Sequence, residues 1–172
     1  MSSPSDDRGA EPSCETAAMV SLNPPSTVLL CTDGSELAIS AIRQGLALLA
    51  PADRVIVLTV AAAVDPTLVT GTGFAGGVMS IDEKDELLQA QRQNAQTVVE
   101  ETIAALGLEH AEAMVEFGDA GRTICDLAAS LPASVVVLGT HGHRGIRRAI
   151  MGSTSDHVVR HAVCPVLVQG GG

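Results

Sequence analysis

Short runs of aliphatic, mostly β-branched residues recur along this chain, and between them apolar residues return every three or four positions. Val28–Thr32, Val55–Ala61, Ala113–Phe117, Val135–Leu138 and Pro165–Gln169 read as strands. Ile39, Ile42, Leu46 and Leu49 lie on one face of a first helix, which Ser35 or Asp33 can cap. A long second helix begins near Ser80, where Ser80 and Glu83 have capping-box spacing. Leu87, Gln91, Ala95, Val98, Thr102 and Leu106 form its stripe, and Gly107 ends it. Gly118, Asp119 and Gly121 turn the chain into a third helix through Ile124, Leu127, Ala128 and Leu131, which Pro132 stops. A fourth helix runs from about Ser153 to Ala162.

This alternation predicts an α/β fold: an open five-stranded parallel sheet with helices on both faces, Rossmann-like in type. Right-handed crossovers that cover both faces require the winding to reverse once, and ligands of such sheets bind outside the carboxyl ends of the strands at that reversal. If strands one and four are the neighbours there, giving the order 3-2-1-4-5, Asp33 and the loop at Gly139 face one crevice.

Composition narrows the picture. The chain has 172 residues, 46% hydrophobic but only 1% aromatic, with neither Trp nor Tyr. The core is therefore expected to be aliphatic, which suits parallel strands covered on both faces. Residues 1–25 read as a disordered acidic tail rich in Ser, Pro, Asp and Glu, with no basic start or apolar block of a signal peptide. Residues 26–169 are expected to form one domain, with residues 170–172 a frayed glycine end. No segment reads as a membrane span, so a soluble, cytoplasmic protein is expected. A net charge of −10 argues against nucleic acid as a partner. Cys14, Cys31, Cys125 and Cys164 are scattered and form no CxxC, so neither a disulfide framework nor a zinc knuckle is predicted.

The chemistry concentrates in Val135–Ser155, VVVLGTHGHRGIRRAIMGSTS. A buried strand stops at Gly139, Gly142 follows, and after nine residues come Gly152, Ser153, Thr154 and Ser155. Glycines let main chain approach an anion, and free N–H groups at a helix start carry partial positive charge. Arg144, Arg147, Arg148 and Arg160 lie in the same region, where Asp156 is the one carboxylate side chain beyond Thr140. No carboxylate stands near the loop in sequence as a base for water, and the P-loop lysine is missing because Lys84 follows no GxxxxG run. Rapid hydrolysis is therefore not expected. Gly71-x-Gly73-x-x-Gly76 matches a dinucleotide fingerprint literally but lacks a strand leading directly into it. His157 and His161 have the spacing of a metal-binding pair, yet such pairs are more often an exposed helix face.

The pattern Gly139-x-x-Gly142, nine residues, Gly152-Ser153 resembles the ATP-binding signature of the universal stress protein family. The opening VLLCTDGSELAISAI and closing CPVLV resemble that family's first and last strands, and the likeness runs from about Ser26 to Gln169. The resemblance implies an adenine-nucleotide site. In it, Thr32 and Asp33 would meet the nucleoside, and the main chain of Val60 the adenine. Leu138 would line the adenosine side, and Gly139, His141 and Gly142 would cover ribose and phosphates. Gly152, Ser153, Thr154 and Ser155 would receive the β- and γ-phosphates, with Mg2+ as companion ion. The expected protein is a nucleotide-dependent stress-response regulator that pairs as a homodimer through edge strand 165–169. A slow ATPase, or a sensor of AMP or cyclic AMP, is the alternative.

Overall fold

The computed structural model describes residues 26–63, 81–140 and 151–170. Strands and helices alternate without exception among them: β1 (Thr27–Cys31), α1 (Glu36–Leu46), β2 (Arg54–Ala61), α2 (Ile81–Leu106), β3 (Glu112–Phe117), α3 (Ala120–Ser130), β4 (Val135–Gly139), α4 (Ser153–His161) and β5 (Val166–Gln169). All neighbouring strands pair in parallel, in the order β3-β2-β1-β4-β5. The expected α/β sheet and its strand order are thus the ones observed, and β5 lies at an edge.

The side-chain period of two along each strand divides the core into two layers. Val28, Leu30, Val57 and Val137 pack with Ile42 of α1 and Val99 of α2. Leu29, Cys31, Ile56, Leu58, Val136 and Leu138 pack with Ile124 and Ala128 of α3 and Val158 of α4. The three central strands are buried on both faces, which is why they read as continuous apolar runs. Leu29, Leu30, Ile42, Ile56 and Leu58 are fully buried, and each such side chain contributes about 1.5–3 kcal/mol from its transfer out of water. α1 seats closely because Gly45 has no side chain: a Cβ there would lie 2.7 Å from Val137 Cγ1.

Several local expectations are settled. Ser35, not Asp33, is the N-cap of α1, its hydroxyl accepting from the Ala38 N–H. The α2 stripe holds in its second half, where Ala95 and Thr102 are buried and Val98 and Leu106 half-buried, with Val99, outside the expected stripe, buried beside them, whereas Leu87 is 37% exposed. The Ser80–Glu83 capping box and the Gly71–Gly76 pattern lie outside the described residues. No helix among the described residues is long and apolar enough to cross a membrane.

Candidate functional site at the carboxyl edge

The winding reverses between β1 and β4, whose register runs from Val28↔Val135 to Cys31↔Leu138. Thr32 and Asp33 leave β1 at the same edge where Gly139 and Thr140 leave β4. The crevice inferred from the alternation of elements therefore lies between them.

The β1 side is held rigidly. Thr32 is 8% exposed, and its N–H closes onto the Leu58 carbonyl at 2.9 Å. Its carbonyl accepts from the Thr59 hydroxyl at 3.0 Å, and its own hydroxyl accepts from the Gly34 N–H at 3.0 Å. Half-buried Asp33 turns its Oδ1 back to accept from both the N–H and the hydroxyl of Ser35, at 3.0 and 2.7 Å. This turn fixes the carboxylate at the mouth of the crevice. Gly34 follows with φ +81°, and a Cβ on it would lie 2.8 Å from Val98 Cγ1 of α2.

On β2 the ladder to β1 ends at Cys31↔Leu58, while pairing to β3 continues through Ala61↔Phe117. In a parallel ladder the N–H and C=O of one residue point to the same side, and successive residues alternate. The Leu58 carbonyl points to β1 and the Ala61 carbonyl points to the β3 side, where it accepts from Gly118. Val60 accordingly directs its peptide groups to the side that β1 has just left. That geometry suits recognition of a base edge by main chain.

On the β4 side, Leu138 is 4% exposed and its side chain belongs to the core beneath α3 and α4, so only its main chain reaches the edge. The Thr140 carbonyl accepts from the Gly152 N–H at 2.8 Å, and the Ser155 hydroxyl donates to the Gly139 carbonyl at 2.7 Å. These two bonds pin the start of α4 to the end of β4. A Cβ on Gly152 would lie 3.0 Å from the Thr140 oxygen, so that close approach favours glycine. Gly152 brings no side-chain cap, and the first bond of the helix runs from the Asp156 N–H to the Gly152 carbonyl. The N–H groups of Ser153, Thr154 and Ser155 are thus the first-turn donors that have no acceptor within the helix. Ser35 and Asp119, by contrast, cap α1 and α3 with side-chain oxygens. His141, Gly142 and Arg144, Arg147 and Arg148 lie outside the described residues.

The fold sets Asp119, Gly121 and His157, which the sequence reading did not assign to the crevice, beside Ser153 and Thr154, which it did. Asp119, Gly121, Ser153, Thr154 and His157 line a cleft of about 170 Å³ between the starts of α3 and α4. His157 packs so closely against Gly121 that a Cβ there would lie 2.8 Å from the imidazole Cγ. Its other neighbour is His161, with ring centroids 4.3 Å apart. A carboxylate therefore does stand beside the hydroxyls of the phosphate-type turn, although it is more than thirty residues away in sequence. The signal lay in chain order alone: Asp119 and Ser153 each open a helix that starts from the carboxyl edge. No group of three or more His, Cys, Asp or Glu positioned to hold a metal exists among the described residues, and His161 Nδ1 lies 2.8 Å from the His157 carbonyl.

The three described cysteines are free and flank the same apolar layer under α3 and α4. Burial raises the Cys31 thiol far above its ordinary value and also raises Cys125 and Cys164, so all three behave as small apolar groups.

A parallel α/β sheet in the order β3-β2-β1-β4-β5, with a glycine- and hydroxyl-lined crevice at its switch point, is a Rossmann-like architecture. The sequence profile of the universal stress protein family matches residues 25–169, and the chain belongs to that family. It is 28% identical to universal stress protein MJ0531 of Methanocaldococcus jannaschii over 141 residues, 82% of this chain and 79% of the relative. Its fold is similar to that of a universal stress protein solved in complex with cyclic AMP, with a TM-score of 0.57 and 18% identity, covering 87% of this chain and 100% of that one. It is also similar to an Arabidopsis thaliana family member with AMP bound, with a TM-score of 0.53 and 20% identity over 86% of this chain and 93% of the other.

Proposed function

We propose that this universal stress protein binds an adenine nucleotide, ATP with Mg2+, and works as a nucleotide-dependent regulator. The observation that carries the reading is the uncapped start of α4, pinned beside the Asp33 turn at the β1/β4 switch point. Three first-turn N–H groups and the hydroxyls of Ser153 and Thr154 suit the β- and γ-phosphates. Ser155 serves mainly as the tether, because its hydroxyl hydrogen is held by Gly139. Gly139, His141 and Gly142 cover ribose and phosphates, Thr32 and Asp33 meet the nucleoside, and the main chains of Val60 and Leu138 flank the base. A carboxylate belongs at the ribose end, where it can accept from a hydroxyl.

The protein acts in the cytoplasm as a homodimer. β5 is a four-residue edge strand with half-buried side chains, and Val163 beside it is 73% exposed. Pairing that edge with a second copy covers its unpaired backbone groups. Hydrolysis is at most slow, and the signal is the bound state itself. The cyclic AMP and AMP complexes of similar proteins support a second reading, in which a monophosphate is the preferred ligand.

Calorimetric titration of nucleotide-stripped protein with ATP and Mg2+, AMP and cyclic AMP decides between them. ATP is expected to bind tightest, and Gly152→Val to weaken it about a hundredfold, roughly 2.8 kcal/mol, in a protein that stays folded. Tighter binding of AMP or cyclic AMP would select the second reading. No binding of any of the three would leave the crevice a structural feature.

A further inference from the structure

Among the described residues, one buried side-chain atom has no hydrogen-bond partner: Oε1 of Gln91 on α2. Native folds leave very few such atoms, because an unpaired acceptor has given up water without compensation. We propose that Gln91 is the residue that selects the base of the bound nucleotide, its carboxamide oxygen accepting from an exocyclic amine. The proposal rests on the nucleotide reading above and adds to it a residue outside the glycine signature.

Position on the helix ties Gln91 to the crevice. α2 has 26 residues and is about 39 Å long, whereas β2, the longest strand, has 8 and spans about 26 Å. Val99, Ile103 and Leu106 pack on the sheet, so the first half of α2 overhangs the carboxyl edge. The hydroxyls of Thr102 and Thr32 lie 3.5 Å apart, and one turn earlier Val98 covers Gly34. Gln91 precedes Val98 by seven residues, which returns it to the same face within about 20°. It therefore stands about 10 Å farther along the wall that rises from the Asp33–Gly34 turn. That rise is close to the span of a nucleoside from its ribose hydroxyls, given above to Asp33, to the far edge of its base. Ala95, between Gln91 and Val98 on the stripe, is buried and offers no polar side-chain atom. Arg92 turns to the other side, its guanidinium 5.7 Å from the centroid of the Phe117 ring on β3.

The polarity of the group fixes what it can read. A carboxamide oxygen only accepts, so its partner must donate. The ring nitrogens of adenine and ionised phosphate oxygens have no proton to give, and the ribose hydroxyls lie at the Asp33 end. The 6-amino group of adenine remains. Hypoxanthine carries an oxygen at that position and would set two acceptors against each other. The ligand class is thus a 6-aminopurine nucleotide, whatever its number of phosphates.

Calorimetry on the full chain compares ATP with purine riboside triphosphate, which lacks only the amine, each with Mg2+. AMP and purine riboside monophosphate repeat the comparison for a monophosphate. In whichever pair binds, the full chain should hold the amine-bearing nucleotide about tenfold more tightly. Gln91→Met, which keeps the shape without the acceptor, should lose that preference and bind the purine riboside nucleotide as the full chain does. Gln91→Leu should behave alike. The ligand-free melting temperature of Gln91→Met should not fall, which separates lost recognition from lost folding. Equal affinities of the full chain for the two members of a pair overturn the assignment and leave the nucleotide reading standing. A tenfold preference that survives in Gln91→Met or Gln91→Leu does the same, because the main chain alone would then read the amine. Failure of both ATP and AMP to bind removes both.

Discussion

The two ends of the sheet use the same residue types for opposite purposes. At the amino ends of the strands, polar groups satisfy one another and close the edge. Asp53 Oδ2 accepts from both the N–H and the hydroxyl of Ser26, at 2.8 and 3.0 Å, and Arg54 makes a bidentate pair with Glu112, at 2.7 and 2.6 Å. Ser134 accepts from the Thr27 N–H at 3.2 Å. At the carboxyl ends, the polar groups instead shape main chain around an opening: Asp33 holds its own turn, Thr32 and Thr59 brace the end of β1, and Ser155 anchors α4. Glycines with no room for a side chain stand at that end, at Gly34, Gly121 and Gly152. The contrast shows an edge built to be finished and an edge built to receive something.

The largest effect on folding is expected from Gly34→Ala at the receiving edge. The substitution places a Cβ at φ +81° and 2.8 Å from Val98 Cγ1. Left-handed strain of about 1–2 kcal/mol and overpacking of similar size sum to about 2–4 kcal/mol, read as a lower urea midpoint with unchanged slope. Val98→Ala alone should destabilise by opening space against α2. In the Gly34→Ala background it should stabilise by removing the clash, while leaving the backbone strain. A neutral Gly34→Ala would break the contrast, since the opening would then be plastic and not fixed.

A smaller gain is expected from Gln91, which lies two turns before Val98 and so about 10 Å farther along α2, beyond the carboxyl edge. Its Oε1 is buried and has no hydrogen-bond partner, the only such side-chain atom among the described residues. An unpaired buried acceptor costs about 1–3 kcal/mol, of which replacement by a side chain of similar shape recovers part. Gln91→Met should therefore raise stability by up to about 1 kcal/mol. A loss instead would show that the oxygen is paired in solution.

How much of this was legible beforehand follows the range of the interactions. Strands buried on both faces announced themselves as runs such as Val135–Leu138, and strand–helix alternation led to the sheet and its switch point. Asp33 and the Gly139 end were therefore placed at one edge by chain order alone. The choice of Ser35 over Asp33 as cap was not legible, because both oxygens have suitable spacing and only the geometry of the turn assigns them. The orientation of Val60 required the register of three strands. Asp119 was legible as a helix start and His157 as half of a histidine pair, but not that they line one cleft, because the packing of Gly121 brings them together and no periodicity records a contact between two helices.

The smallest effect belongs to the closed edge and concerns pH. Hydrogen bonds from the Ser26 N–H and hydroxyl hold the exposed Asp53 carboxyl below its ordinary value, and Arg54 does the same for Glu112. A carboxylate whose folded-state pKa is depressed binds fewer protons folded than unfolded at mildly acid pH. Its contribution is therefore complete above about pH 5 and disappears as pH falls through the depressed value. Asp53→Asn should lower the melting temperature slightly at pH 7, and the difference from the unsubstituted chain should shrink towards zero near pH 2. Because both pairs are solvent-exposed, salt should weaken the Arg54–Glu112 contribution, and neither change should be large. Nucleotide affinity at pH 7 should not move, since Asp53 lies at the opposite end of the strands from the crevice. A change in affinity on Asp53→Asn would mean that the closed edge communicates with the open one, and the two ends would then have to be treated as a single coupled unit.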